Sequence, residues 1–240
     1  MPEFLHTGKN KKKFVEKMFD DISNNYDMLN RMLSFGIDKY WRKKLIHLMN
    51  IKEGQYILDV ATGTGDVAFA INKKYNVTII GLDISKKMLE VAKLKLDKIK
   101  SKDTKIEFIN GDAEELPMGD NSYDHICISF GFRNLGDYDT ALKEFYRVLK
   151  PGGQLSILEF SQSRIKVFNF IFQFYFNKIL PRLASFISRA DAYRYLPESV
   201  KYFPNQSKIN KFLDNNKFIN TKSTLLTLGV ATIYRGYKNQ

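Results

Sequence analysis

A chain of 240 residues, 44% of them hydrophobic and 27% charged, forms one domain with a sizeable core and leaves little room for a second. Its single cysteine, Cys127, excludes a disulfide framework and a cysteine-based metal site. The formal net charge of +12 has two interpretations, an anionic partner such as nucleic acid or a membrane surface, or a lysine-rich composition. Charge alone does not separate them.

The N-terminal segment is basic but lacks the features of a targeting sequence. Lys9, Lys11, Lys12 and Lys13 are followed from Phe14 onward by mixed apolar and charged residues, without an apolar signal core. This pattern is neither that of a secretory signal nor that of an arginine-rich transit peptide. We therefore expect a cytoplasmic, bacterial protein.

The predicted elements alternate along the chain. Apolar residues at helical spacing predict helices between residues 13 and 49. Short apolar runs then predict strands at 56–61, 77–83, 106–110, 123–129 and 154–160, and amphipathic stretches predict helices at 66–74, 86–99 and 139–149. Strands and helices in this alternation are typical of a parallel sheet that helices cover on both faces.

The last third of the chain differs in composition. Residues 164–188 are rich in phenylalanine, but polar residues and Pro181 interrupt them. Because a transmembrane helix needs about 20 apolar residues, we interpret this segment as a helical lid or an interfacial segment. A helix at 206–215 and two strand-like runs at 223–228 and 230–237 end the chain.

We expect a single domain over residues 1–240 with four parts. These are an N-terminal helical cap (1–50), a cofactor-binding core (51–161), a helical substrate lid (162–204) and a C-terminal helix with a strand pair (205–240).

A glycine-rich turn joins the first predicted strand to its helix in the sequence ILDVATGTGD, residues 57–66. Gly63 and Gly65 let the backbone approach a ligand closely, and the following helix offers free N–H groups at its first turn. The match to the dinucleotide-binding fingerprint is weak evidence by itself, because any tight turn from strand to helix needs glycine.

Two acidic residues beside this turn distinguish between ligands. Asp59 at the strand end and Asp66 at the helix start would both repel a pyrophosphate. Both suit a ligand that carries an ammonium group and a sulfonium. S-adenosylmethionine has these groups and no phosphate, so we predict it as the cofactor. Asp66 is also a helix-terminal charge, which stabilises a helix by ~0.3–1 kcal/mol.

Further polar residues follow the next three predicted strands. Asp83 ends the second strand, at a distance from the glycine turn that suits acceptance of hydrogen bonds from ribose hydroxyls. Asp112 follows the third strand and suits the amino group of adenine. Ser129 ends the fourth strand, and we expect it to face the pocket because ligands bind at the carboxyl ends of such strands.

The order of these segments resembles that of a known enzyme class. LDVATGTGD (58–66), GLDIS (81–85), GDAEELP (111–117) and RVLKPGG (147–153) resemble the motifs of class I methyltransferases. More narrowly, the chain resembles the bacterial menaquinone and ubiquinone C-methyltransferases in YDMLN (26–30), LSFGIDKYWRKK (33–44), ISFGFRNL (128–135), LEFS (158–161), DAYRYLPESV (191–200) and FPNQ (203–206).

The resemblance covers residues 15–238 and implies an α/β fold. The sheet would be Rossmann-like, doubly wound, seven-stranded and mostly parallel, with N-terminal helices and a helical lid insertion. The resemblance also implies S-adenosylmethionine contacts at Thr64, Asp83, Asp112, Ala113 and Ser129.

The implied reaction is C-methylation of demethylmenaquinol to menaquinol, with a polyprenylated quinol as substrate. A benzoquinol precursor of ubiquinone is the alternative acceptor, and we favour demethylmenaquinol because no organelle-targeting segment is present. An RNA or small-molecule methyltransferase is a more distant alternative. We expect no nucleic-acid partner, because the chain has neither an Asp-Pro-Pro-Tyr-like motif nor a Pro-Cys nucleophile.

Residues on the acceptor side are less sharply defined. Arg133, just past the fourth strand, either binds a phenolate and lowers its pKa or pairs with a carboxylate within its loop. Asp191, Tyr193, Arg194 and Tyr195 either cap the acceptor site or pack at a helix junction.

The aromatic segment 168–186 has three open interpretations. It receives a polyprenyl tail, docks peripherally on the inner face of the cell membrane, or is buried in a homodimer interface or the core. No histidine is an obvious base, because His125 starts a strand and so lies at the end of the sheet away from the pocket.

Overall fold

The computed structural model describes residues 8–99, 104–161 and 190–240. Three helices precede the sheet, α1 (Gly8–Ile22), α2 (Tyr26–Leu33) and α3 (Ile37–Met49), with a short 3-10 helix at Ser23–Asn25. They confirm the helices predicted between residues 13 and 49.

Within the described part of the chain, seven strands form one sheet in the order β3-β2-β1-β4-β5-β7-β6. Their bounds are β1 (Tyr56–Val60), β2 (Thr78–Asp83), β3 (Ile106–Asn110), β4 (Tyr123–Ser129), β5 (Leu149–Phe160), β6 (Ile219–Leu226) and β7 (Ala231–Tyr237). The first five strands run parallel, and β7 is antiparallel to both β5 and β6. The expected α/β class with a seven-stranded, mostly parallel sheet is confirmed.

Helices follow three of the parallel strands: α4 (Asp66–Asn72) follows β1, α5 (Lys86–Asp97) follows β2 and α6 (Tyr138–Val148) follows β4. Two more helices, α7 (Ala190–Tyr202) and α8 (Gln206–Asn215), come after β5. Because β2 lies on one side of β1 and β4 on the other, the strand order reverses at β1. This switch point opens a crevice at the carboxyl ends of β1 and β4, where such folds bind ligands.

The hydrophobic core lies on both faces of the sheet. In β1, Leu58 and Val60 belong to one buried cluster, which includes Phe145, while Ile57 belongs to a second cluster with Trp41. Successive side chains of a strand point to opposite faces, so a strand covered on both sides is apolar throughout. This explains why the parallel strands read as continuous apolar runs in the sequence.

The predicted start of β5 is wrong by five residues. The sequence predicts a strand from residue 154, but β5 begins at Leu149, which pairs with Tyr123. The N–H of Gly152 donates to the carbonyl of Lys238, and the N–H of Lys238 donates to that of Gly153, at 3.1 and 2.9 Å. Gly152 has a left-handed backbone with φ of 75°, and the pairing with β4 shifts register between Tyr123 and His125. Long-range pairing therefore extends the strand across this segment, which forms a bulge within it.

Within the described residues, we find no helix of the length and apolar character needed to cross a bilayer. Most of the predicted lid, residues 162–189, lies outside the described residues, and α7 occupies most of the remainder. His125 lies at the amino end of β4, as the sequence predicted, and its Nε2 lies 3.0 Å from Oε1 of Gln55.

Candidate functional site

A cavity that is open at its mouth lies at the carboxyl ends of the parallel strands. The glycine turn after β1 contributes Gly63, β2 contributes Asp83, β4 contributes Ser129, and the loop after β3 contributes Asp112 and Ala113. The structure thus brings five of the sequence-predicted cofactor residues to one cavity.

Asp83 is the most buried acidic residue that lines this cavity, with 7% of its surface exposed. Its Oδ2 accepts the N–H of Gly63 at 2.7 Å, and its Oδ1 accepts the N–H of Ser85 at 2.8 Å. Burial raises the pKa of Asp83 to about 6, and the nearby negative charge of Asp20 acts in the same direction. Two backbone donors therefore orient a carboxylate that is only weakly solvated.

The glycine turn depends on its two glycines for different reasons. Gly63 and Gly65 both have left-handed backbones, with φ of 57° and 82°. A Cβ at Gly65 would lie 2.7 Å from the ring of Phe69 and 2.8 Å from that of Phe108. Gly63 has space for a side chain and lines the cavity, whereas Gly65 lies outside the cavity lining. Gly65 therefore shapes the turn through close packing.

Asp59 lies outside the cavity lining formed by the described residues. Only 1% of its surface is exposed, and its oxygens accept the Thr62 hydroxyl at 2.6 Å and the Cys127 thiol at 3.4 Å. Burial raises the pKa of Asp59 to about 6. In the structure this carboxylate ties the turn to β1 and β4.

Asp66 was interpreted from sequence as a charge that selects a cationic ligand, and the structure gives that charge protein partners instead. Its carboxylate lies 3.1 Å from Nζ of Lys95 and 3.4 Å from Nη1 of Arg42. A carboxylate that two cations already neutralise attracts a cationic ligand less. The electrostatic argument for the ligand therefore rests on Asp83.

Lys95 also connects the glycine turn to the N-terminal helices. Its ammonium group lies 2.5 Å from Oδ2 of Asp27 in α2 and donates to the carbonyl of Thr64 at 3.0 Å. The Thr64 hydroxyl donates to Oδ1 of Asp27 at 2.5 Å. The side chain of Thr64, which is 2% exposed, thus faces α2 rather than the cavity. Sequence reasoning missed Lys95, and the only signal for Asp27 was its place in the YDMLN motif.

Helix α1 forms the opposite wall of the cavity through Lys12, Val15 and Phe19. Lys12 lies 2.7 Å from both the Asp112 and Glu114 carboxylates. The sequence had presented this lysine only as one of a basic run, so its position could not be inferred without the fold.

Lys11, the neighbour of Lys12, links α1 to the loop after β4 by hydrogen bonds. Its ammonium group donates to the carbonyls of Arg133 and Leu135 at 2.8 and 2.7 Å. Burial and the nearby Arg133 charge lower the pKa of Lys11 to about 8.

Ser129 carries the clearest mark of a ligand position. Its Oγ is buried and has no hydrogen-bond partner among the residues that the structure describes. Buried polar atoms are nearly always hydrogen-bonded, so an orphaned hydroxyl that lines a cavity indicates a polar ligand group. Beside it, Phe130 has a left-handed backbone with φ of 59°, and a Cβ on Gly131 would lie 2.5 Å from that of Ala61. Backbone strain of this kind clusters at ligand sites.

Together these residues fit S-adenosylmethionine. A buried carboxylate suits ribose hydroxyls, the orphaned Ser129 hydroxyl suits a polar group, and Leu82, Met88 and Phe130 supply apolar wall for a flat ring.

Arg133 forms a buried ion pair, which was one of its two sequence-based interpretations. Its Nη1 donates to Glu159 Oε1 at 2.7 Å and to the carbonyl of Phe130 at 2.6 Å, and its Nε donates to the Ser199 hydroxyl at 3.3 Å. Arg133 is 7% exposed and Glu159 is fully buried. Arg133 does not itself line the cavity, but its neighbour Asn134 does.

Tyr195 packs at a helix junction. It is 2% exposed, its hydroxyl donates to Asn134 Oδ1 at 2.9 Å, and its ring lies 5.5 Å from that of Phe14 in α1. The backbones of Asp191, Tyr193 and Arg194 lie in the same helix, α7, and their side chains lie outside what the structure describes.

Comparison with known proteins gives close sequence relatives. The sequence profile of the ubiE/COQ5 methyltransferase family matches residues 6–238. A ubiquinone/menaquinone biosynthesis C-methyltransferase UbiE of Geotalea daltonii is 44% identical over 237 residues, which are 98% of this chain and 100% of that protein. A demethylmenaquinone methyltransferase of Staphylococcus aureus is 38% identical over 236 residues, 97% of this chain and 96% of that protein.

Solved structures with the same fold are more distant in sequence. A SAM-dependent methyltransferase from Aquifex aeolicus has a TM-score of 0.58 at 19% identity, covering 82% of this chain and 88% of that one. Phosphoethanolamine N-methyltransferase 2 of Haemonchus contortus, in complex with S-adenosyl-L-methionine, has a TM-score of 0.64 at 16% identity, covering 83% of this chain and 52% of that one. At these identities the likeness concerns the fold.

The buried pair of Arg133 and Glu159 predicts a large stability effect. Glu159→Gln leaves the Arg133 guanidinium buried without its counter-charge, so we expect the free energy of unfolding to fall by about 3 kcal/mol. Urea-induced unfolding measures this loss. In the control, Glu144→Gln, the partly exposed pair with Arg147 is disrupted, and we expect a loss of about 1 kcal/mol or less. Equal effects of the two substitutions would contradict the assignment of a buried pair.

Proposed function

Because this chain belongs to the ubiE/COQ5 methyltransferase family and is an S-adenosylmethionine-dependent methyltransferase, we propose that it methylates a ring carbon of demethylmenaquinol. The observation that carries the proposal is similarity over almost the whole chain to proteins named for quinone C-methylation. A benzoquinol precursor of ubiquinone is the second candidate, since the relative from Geotalea daltonii is named for both quinones.

The proposed cofactor contacts follow from the cavity. Asp83 would accept the ribose hydroxyls, Ser129 would bond a polar group through its orphaned Oγ, and Asp112 with Ala113 would meet the adenine ring. The backbone of Gly63 would lie against the ligand. Three further residues predicted from sequence, Asp59, Thr64 and Gly65, would act by holding the glycine turn in shape.

When bound, S-adenosylmethionine supplies an electrophilic methyl group. The protein then has to hold an electron-rich quinol carbon in line with that group and keep water out. Asn134, fixed by Tyr195 and by the Arg133 loop, lines the cavity where an acceptor ring would enter. Glu159 already neutralises the charge of Arg133, so Arg133 would serve the reaction by holding the loop that carries Asn134, through the Phe130 carbonyl to which both side chains donate.

The remaining parts of the proposal concern the long-tailed substrate. We assign Asp191, Tyr193 and Arg194 to the acceptor side, where Tyr195 would act by holding Asn134 in place. A polyprenyl tail keeps its quinol in a bilayer, so the enzyme would work peripherally on the inner face of the cell membrane.

Methyl transfer from labelled S-adenosylmethionine tests the proposed acceptor directly. The protein is incubated under reducing conditions with membranes from a bacterium deficient in quinone methylation. We expect label in the menaquinone fraction. Label only in the ubiquinone fraction would contradict the choice of ring and retain the reaction class. No labelled lipid, with cofactor binding intact, would overturn quinone methylation.

The raised pKa of Asp83 predicts that cofactor affinity depends on pH. Its carboxyl titrates at about pH 6, so the acceptor form is lost as the pH falls through that value and affinity for S-adenosylmethionine should fall with it. We expect Asp83→Asn to weaken binding by about ten-fold or more at pH 7, because a charge-assisted hydrogen bond is lost. Isothermal titration calorimetry across this range measures both effects.

The control for this test is Asp59→Asn. Burial also raises the pKa of Asp59 to about 6, but Asp59 lies outside the cavity lining. The Asp59→Asn variant should retain the fall in affinity on acidification, and the Asp83→Asn variant should lose most of it. The reverse pattern would show that the titration at Asp59 controls binding.

Arg133→Lys tests the proposed role of the guanidinium. Lysine keeps a positive charge for Glu159 but cannot reproduce the donors to Phe130 and Ser199. We expect kcat to fall by about ten- to a hundred-fold, because the loop that carries Asn134 shifts, with cofactor affinity nearly unchanged. Steady-state kinetics, with Arg147→Lys in α6 as the control, measure this. Turnover within a few-fold of wild type in a folded variant would remove Arg133 from the catalytic proposal.

A further inference from the structure

Helix α1 contacts the loops that follow three of the parallel strands. Near its end, Asp20 accepts the Ser85 hydroxyl, after β2, at 2.6 Å. Lys12 pairs with carboxylates of the loop after β3, and Lys11 donates to carbonyls of the loop after β4. Charged side chains of one helix are therefore bonded along the edge of the sheet where the cavity opens.

Lys12 bridges two carboxylates that differ in their surroundings. Its Nζ lies 2.7 Å from Asp112 Oδ2 and 2.7 Å from Glu114 Oε2. The Glu114 side chain is 8% exposed, and its Oε1 accepts the N–H groups of Gly136 and Asp137 at 2.7 and 3.1 Å. The Asp112 side chain is 32% exposed and lines the cavity. The ammonium group therefore joins a carboxylate that the backbone fixes to one that a ligand can reach.

Asp112 keeps capacity for a further donor. Its Oδ1 accepts the N–H of Glu114 at 2.9 Å, and its Oδ2 accepts Nζ of Lys12. Because each carboxylate oxygen can accept two hydrogen bonds, a donor on a ligand can still be bonded. The two contacts hold the carboxylate from two sides, so the direction of its remaining acceptor positions depends on Lys12.

Lys12 is itself held in place and charged. A Cβ on Gly136 would lie 3.1 Å from Cε of Lys12, so the backbone packs closely against this side chain. Partial burial acts to lower the pKa of Lys12, but hydrogen bonds to Asp112 and Glu114 raise it above its ordinary value. Without the ammonium group, two carboxylates that now share one nitrogen would repel each other.

We infer that Lys12 is a positioning residue for the cofactor: it orients the Asp112 carboxylate toward the amino group of adenine and holds α1 over the cavity while the cofactor is bound. The inference rests on the contact between Asp112 and adenine that is part of the proposed function. A lysine that only anchored α1 would affect the affinity for every nucleoside equally, whereas a positioning lysine affects the choice of base.

The 6-amino group of adenine separates these two roles. Isothermal titration calorimetry compares the product S-adenosylhomocysteine with an analogue in which hydrogen replaces that amino group. We expect the wild type to bind the analogue about ten-fold more weakly, because a charge-assisted hydrogen bond is lost. Lys12→Met should bind S-adenosylhomocysteine about ten-fold more weakly and discriminate between the two ligands by about three-fold or less. Lys12→Arg keeps a charge for both carboxylates and should restore most of the discrimination.

Matched controls come from the same helix, where Lys13 and Lys17 are exposed. Lys13→Met and Lys17→Met remove the same charge and should leave affinity and discrimination within about two-fold of wild type. Asp112→Ala should abolish discrimination, and adding Lys12→Met to it should not change discrimination further. A Lys12→Met variant that binds both ligands more weakly by the same factor would overturn the inference and leave Lys12 as an anchor of α1.

Trp41, the single tryptophan of the chain, reports on ligand release. Its ring lies 5.8 Å from that of Phe130, which lines the cavity. Stopped-flow fluorescence should show S-adenosylhomocysteine leaving Lys12→Met about ten-fold faster than wild type, and leaving Lys17→Met at the wild-type rate. An unchanged rate for Lys12→Met would overturn its role in holding α1 over the cavity.

These binding measurements need no quinol, so they separate failure of the inference from failure of the proposed acceptor. The expected effects of Lys12 and Asp112, without methyl transfer to any quinol, would support the inference and contradict the acceptor. Methyl transfer to demethylmenaquinol by a wild type that binds both ligands equally would retain the acceptor. That result would overturn both the contact of Asp112 with adenine and the positioning role of Lys12.

Discussion

The hydrogen bonds from Gly63 and Ser85 to the Asp83 carboxylate fix the site on which the rest of the structure depends. β1 and β2 are adjacent parallel strands, so the loops that follow them start side by side. Asp83 holds both loops through one side chain, with backbone donors 2.7 and 2.8 Å from its oxygens. Gly63 has a left-handed backbone in this turn, a conformation that glycine adopts without steric cost.

The distribution of charge around the cavity follows from this arrangement. Asp66, Asp112 and Asp27 all lie near the turn or the cavity mouth, and each pairs with a lysine. Among the described residues, only backbone N–H groups donate to Asp83, and burial raises its pKa. The site therefore presents one weakly solvated carboxylate to a ligand. Such a site disfavours a pyrophosphate and suits a nucleoside that carries a positive charge.

The sequence alone could predict the site residues that stand directly at the ends of strands. Asp83 and Ser129 end apolar runs that only strands explain, and parallel strands place their carboxyl ends at one edge. Lys12 and Lys95 could not be predicted, because their roles come from helices that fold back over that edge. The start of β5 was misplaced for the same reason, since pairing with Lys238 decides it. The two interpretations of Arg133 could be separated only once Glu159 was seen to lie beside it.

The most direct test of this account is a crystal structure of the protein with S-adenosylhomocysteine, the product that remains after methyl transfer. We predict that its ribose hydroxyls lie within hydrogen-bond distance of the Asp83 carboxylate and that a polar group of the ligand meets Ser129 Oγ. A product bound away from the carboxyl ends of β1, β2 and β4, or a ribose that does not contact Asp83, would contradict the account.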